Sequence, residues 1–189
     1  MGVGGIADGT GQGDLFSGYP PSFHLPTADV DRIGVVDVGS NSVRLVGFEG
    51  GRRCPAMVFN ERSLCGLGSE LASTGRLWPE GRDRCLSALG RFMALAPGLR
   101  VDALVGVATA AIREAEDGHA FRDEIEARTG IRLTIVSGAD EARLAAQGVL
   151  FGNPDASGVV VDLGGASLEL CPVGGGRFGP GVTTPLGPQ

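Results

Sequence analysis

Val36-Asp37-Val38-Gly39-Ser40-Asn41-Ser42-Val43-Arg44-Leu45-Val46 and Val161-Asp162-Leu163-Gly164-Gly165-Ala166-Ser167-Leu168-Glu169-Leu170-Cys171 read alike, position for position. Both follow Val-Asp-apolar-Gly-x-x-Ser-apolar-x-Leu. Each begins as an apolar strand, breaks at small residues and resumes with partial alternation, which predicts a β-hairpin. Gly, Ser or Asn at each tip lets the backbone approach an anion and aim N–H groups at it. The Asp ending each first strand suits a divalent cation. One Asp-x-Gly alone is an ordinary turn as readily as a phosphate loop. Two in one register point to phosphate, held by two related units facing each other across a cleft.

The bulk composition narrows the partners. The chain has 189 residues, 42% of them hydrophobic, enough to bury a core. Sixteen basic against 22 acidic residues give a net charge of −6, which argues against a general nucleic-acid or membrane surface. A polyanionic substrate would need local arginines. Every cation is an arginine, so a Walker-type P-loop and Schiff-base chemistry are excluded. Cys54, Cys65, Cys85 and Cys171 form no C-x-x-C pair, and only His24 and His119 could join them. A zinc site is not expected, and a reduced, cytoplasmic setting is. No apolar run is long enough to span a membrane, and the N-terminus does not read as a secretory signal.

Residues 1–31, with seven glycines and Pro20, Pro21 and Pro26, read as a flexible tail. A first unit is expected over 32–143 and the start of a second over 144–189. The first hairpin should occupy 33–49, followed by a strand over 53–60 and a glycine loop over 64–69. That loop reads equally as a pocket wall or a plain connection. A helix over 80–96 begins after Pro79 and is expected to stop at Pro97-Gly98. Cys85, Leu86, Leu89, Phe92, Met93 and Leu95 form its apolar face. Val101–Val107 is a continuous apolar strand, as in a sheet covered on both faces. It leads to Arg113, near the strand end where ligands bind in open α/β sheets. A helix over 117–129, capped by Asp117 and ended by Gly130, is followed by a strand over 132–136. Asp140 and Glu141 then open a helix over 139–151. The helix dipole accounts for Asp140. Glu141, at the junction of the two units, is placed to act on a water in the cleft.

The order Asp-x-Gly-Ser-Asn-Ser, Ala-Thr-Ala-Ala-Ile-Arg, Ser-Gly-x-x-Glu-Ala-Arg-Leu, Val-Asp-Leu-Gly-Gly-x-Ser-x-Glu-Leu and Pro-Leu-Gly resembles the exopolyphosphatase / guanosine pentaphosphate phosphohydrolase (Ppx/GppA) family, over about 32–189. The resemblance implies an α/β, actin-like ATPase (ribonuclease H-like) fold, with mixed sheets, flanking helices and a cleft between two domains. It implies that Asp37, Gly39, Ser40, Asn41 and Ser42 form one phosphate and metal loop, and Asp162, Gly164, Gly165 and Ser167 the other. By the same resemblance Glu141 is the base for the attacking water, Arg113 contacts phosphate with Arg143 assisting, and Mg2+ sits between Asp37, Asp162 and the phosphates. Ala166 stands where the family usually has a third glycine. Family members continue beyond Pro-Leu-Gly, so the second domain is expected to be incomplete. The apolar surface this leaves would favour a homodimer.

Three functions follow as expectations. The first is hydrolysis of the terminal phosphate of inorganic polyphosphate or of guanosine pentaphosphate. The second is an ATP-dependent kinase or ATPase of the same superfamily. The third is a non-catalytic protein that binds polyphosphate or an alarmone.

Overall fold

The computed structural model describes residues 31–50 and 55–187. Apart from Asp31, the tail expected over 1–31 lies outside the described residues. A five-stranded sheet comes first, built from β1 (Arg32–Val38), β2 (Ser42–Glu49), β3 (Ala56–Leu64), β4 (Ala103–Ala108) and β5 (Leu133–Ile135) in the order β3-β2-β1-β4-β5. β1 to β3 form an antiparallel meander, and β4 and β5 run parallel to β1. Helices α1 (Leu71–Thr74), α2 (Pro79–Leu99), α3 (Ala110–Glu114) and α4 (Gly118–Thr129) fill the connections. The chain then crosses through α5 (Gly138–Gly152) to a second sheet of β6 (Gly158–Leu163), β7 (Leu168–Gly174), β8 (Arg177–Phe178) and β9 (Val182–Thr184).

Alternation decides which way each strand faces. Val36 and Val38 of β1 and Val43 and Leu45 of β2 are sealed beneath Leu89 and Phe92 of α2 and Phe121 and Ile125 of α4. Asp37 and Arg44 therefore point to the opposite face, where the cleft lies. A smaller cluster packs Ala142, Ala146 and Leu150 of α5 on Cys171 and Val173 of β7. A division at residue 143 would fall inside α5, whose apolar face belongs with the second sheet. The outer edge strand β6 presents Val159, Val161 and Leu163, each at least 60% exposed. No helix among the described residues is long and apolar enough to cross a membrane.

Four local expectations are corrected. Pro97-Gly98 does not stop α2, which continues to Leu99 and closes on Arg100 in the left-handed conformation, φ 51°. A proline in the last turn removes one hydrogen bond, and the buried face formed by Cys85, Leu86, Leu89 and Phe92 outweighs that loss. Leu95 lies off this face and is exposed, and Met93 is only partly buried. In β4 only Gly106 and Ala108 are buried, so the strand is not covered on both faces. Asp117 precedes α4 without capping it by a side-chain hydrogen bond. Its carboxylate instead accepts from the Leu77 N–H at 3.0 Å and from Arg82 at 3.0 Å, tying α4 to the start of α2. Asp117→Ala leaves the buried Leu77 N–H unpaired and is expected to cost about 1–2 kcal/mol in urea unfolding.

Candidate active site

The two hairpins close alike. The Gly39 N–H donates to Ser42 O at 3.0 Å, and the Gly164 N–H to Ser167 O at 2.9 Å. Ser40 and Ser167 are buried within the tips. The glycine loop after β3 braces the first tip from behind: Cys65 and Gly66 donate backbone N–H groups to Asn41 O, and Gly68 donates to Ser40 O. It is a support and not a wall of the cleft. Ala166 carries no left-handed strain, and Gly187 of the Pro-Leu-Gly segment lies flat against it where any side chain would collide.

Between the tips opens a cleft of about 700 Å³. Asp37, Gly39, Ser40, Asn41, Ser42, Glu141, Asp162, Gly164, Gly165 and Ser167 all line it. Arg113 and Arg143 do not. The Arg113 guanidinium lies behind Glu141, donating to its Oε2 at 2.8 Å, to Val136 O at 3.1 Å and to Glu114 at 2.8 Å. Arg143 pairs with Asp140 at 3.1 Å and lies over the Phe178 ring. Asp140 is the helix-capping partner of Ser137, as its position in the first turn suggests.

The carboxylates are tuned by this packing. Burial pushes the Glu141 pKa above the ordinary glutamate value; the hydrogen bond from Arg113 opposes the shift, and Glu169 and Asp162 add to it. Asp37 is likewise raised, first by burial and then by Asp162, with Arg44 and Arg62 opposing. Arg113 is driven the other way from a buried cation, because Glu141 and Glu114 outweigh its desolvation and raise its pKa.

Arg44, Asn60 and Arg62, which the motifs do not single out, also line the cleft, and the strand pairing sets each hairpin's Asp in a row. Asp37 faces Arg44 across β1–β2, and Arg44 faces Arg62 across β2–β3. In the second unit Asp162 faces Glu169, which faces Thr183. One row is thus acidic, basic, basic; the other is acidic, acidic, hydroxyl. Glu169 is 1% exposed; its Oε1 accepts from Thr183 at 2.8 Å, and its Oε2 is buried without a partner. The signal was present in the repeat. Arg44 and Glu169 occupy the same x position, and a hairpin closing at Gly and Ser sets that position opposite the Asp. Among the described residues no three acidic, His or Cys side chains converge into a self-sufficient metal cage. Asp37 and Asp162, one at each tip, both line the cleft and are the carboxylates that could hold a hard cation there.

The geometry agrees with what the chain is similar to. The model of the Ppx/GppA phosphatase family matches residues 47–187. Exopolyphosphatase 1 of Mycobacterium leprae is 32% identical over 144 residues, covering 74% of this chain and 42% of the relative. Exopolyphosphatase 2 of Mycobacterium tuberculosis is 33% identical over 150 residues, covering 74% and 47%. The chain thus spans less than half the length of these curated relatives. A Ppx/GppA protein of Aquifex aeolicus superposes with TM-score 0.73 at 26% identity, covering 84% of this chain and 52% of that one. An exopolyphosphatase of Cytophaga hutchinsonii gives 0.77 at 28%, covering 82% and 51%. The ethanolamine utilization protein EutJ of Carboxydothermus hydrogenoformans, at 0.52 and 17% identity, shares the fold alone. The fold is the α/β, actin-like one expected, and the chain belongs to the Ppx/GppA phosphatase family.

Proposed function

We propose that the cleft holds the end of a linear phosphate chain, inorganic polyphosphate or the oligophosphate of guanosine pentaphosphate, and releases its terminal phosphate by hydrolysis. One observation carries the reading: Glu141 opens into a cleft flanked by two hydrogen-bond-matched tips and is fixed from behind by Arg113. The names of the relatives, exopolyphosphatases among them, favour polyphosphate.

Glu141 takes a proton from a water whose oxygen bonds to the terminal phosphorus while the phosphorus–oxygen bond to the next phosphate breaks. Orthophosphate leaves, and the shortened chain departs with the bonding electrons. The tips Gly39–Ser42 and Gly164–Ser167 cradle the terminal phosphate. Arg113 orients the base and does not touch phosphate. Asp37 and Asp162 would hold Mg2+, which would supply charge neutralisation on the phosphoryl oxygens. The free thiols Cys65, Cys85 and Cys171 fit a reducing, cytoplasmic setting.

The test is phosphate release from long-chain polyphosphate and from guanosine pentaphosphate, with Mg2+ and after chelation. Release that falls by about a hundredfold or more on chelation is expected. Release undiminished by chelation would remove the metal from the mechanism. Binding of either chain without release would replace hydrolysis by the non-catalytic binding function.

A further inference from the structure

We infer that Arg44, Asn60 and Arg62 form a track for the phosphates behind the reacting one, so that the antiparallel β1–β2–β3 face sets how much of the chain is gripped. The inference rests on the cleft being a phosphate-chain site.

All three side chains line the same cleft as Glu141, and all three are exposed. Arg44 lies across from Asp37 and Arg62 across from Arg44, so the row begins beside the tip and moves two strands away from it. At the spacing of neighbouring strands that is roughly 10 Å of positive surface. The two arginines are held in the same manner. Arg44 Nε donates to Asn60 Oδ1 at 2.7 Å, and Arg62 Nε donates to Ser42 Oγ at 2.9 Å, two like diagonals across β2–β3. Each hydrogen bond orients the guanidinium through Nε and engages a neutral oxygen. Arg32, Arg82, Arg91 and Arg113, by contrast, spend theirs on carboxylates. Among the described residues no hydrogen bond draws on the terminal nitrogens of Arg44 or Arg62. A guanidinium fixed at Nε with both terminal nitrogens outward fits two oxygens of one phosphate. In a chain of net charge −6, this local basic row is what a polyanion would meet.

The test is equilibrium binding by calorimetry with Mg2+, in a Glu141→Gln background so that the chain is not consumed. Long-chain polyphosphate is compared with pyrophosphate, which is too short to reach β3. For the Arg44→Gln/Arg62→Gln pair, long-chain affinity should fall about tenfold, with pyrophosphate unchanged. The slope of log affinity against log salt should drop by about one for each arginine. Arg44→Lys/Arg62→Lys should restore most of the salt slope, because charge remains while the fork is lost. Unchanged long-chain affinity in the glutamine pair overturns the track and leaves the proposed hydrolysis standing. Equal losses for pyrophosphate also overturn it, placing the arginines at the reacting phosphate instead. A background protein that binds neither chain defeats the phosphate reading of the cleft itself.

Discussion

Glu141→Gln is expected to reduce phosphate release by about a hundred- to ten-thousandfold while long-chain polyphosphate still binds. Glutamine keeps the shape and can still accept from Arg113, but it cannot take the proton of the attacking water. Loss of the ion pair is cushioned because Arg113 keeps Glu114 and Val136 O, so thermal melting should show the variant folded. The pH profile gives a second readout. The base works ionised, and burial holds its pKa above 4.5. The rate must therefore fall, as pH drops, at a higher pH than for an ordinary glutamate. Stability moves oppositely. A carboxyl whose folded pKa is raised stabilises the fold fully below its unfolded value, and that contribution is lost as pH rises through the folded value. Asp37 shares this sign. Lowering the pH through that window should raise stability while it lowers turnover, and Glu141→Gln should weaken the first effect. Turnover unchanged by the substitution would sink the assignment of Glu141 as base.

The repeated Asp-x-Gly pattern made the two hairpins, their tips and the cleft legible, because period-two alternation and small-residue breaks are local properties of a chain. Glu141 was legible for a similar reason: it follows a strand, a tight turn and a serine cap. What escaped was lateral. Arg44, Asn60 and Arg62 reach the cleft because neighbouring strands place them in rows, and β-register is set by pairing across the sheet rather than by neighbours in sequence. The displacement of Arg113 is of the same kind. It follows the end of β4 as expected, but α3 turns its guanidinium toward Glu141 Oε2 and Val136 O, and it does not line the cleft. Asp117 shows how tertiary demand overrides a local rule. It precedes a helix as a cap would, yet the Leu77 N–H and Arg82 offer its carboxylate partners from another helix start.

Gly118→Ala should be the most damaging single-methyl change remote from the cleft, and it should reach the base as well as the fold. Gly118 is buried at the first turn of α4, where an added Cβ would coincide with the carbonyl oxygen of Ile112. That oxygen belongs to backbone, and Ile112 is itself fully buried, so neither partner can yield as a flexible side chain would. The α3–α4 junction must open, at a cost of about 3 kcal/mol, the upper part of the range for overpacking. For a chain of this size that lowers the melting temperature by roughly 6–12 °C. Gly90→Ala is the matched control. Gly90 sits within α2 with nothing near its absent Cβ, so the same chemical change should stabilise by about 0.5–1 kcal/mol. The junction also bears on function, since Ile112 precedes Arg113, and Arg113 fixes Glu141 through a single 2.8 Å hydrogen bond. Below its melting point Gly118→Ala should therefore lose kcat more than affinity for the phosphate chain. A melting temperature within about a degree of the parent would mean that α3 and α4 pack more loosely than Ile112 implies, and the coupling of that junction to the base would fall with it.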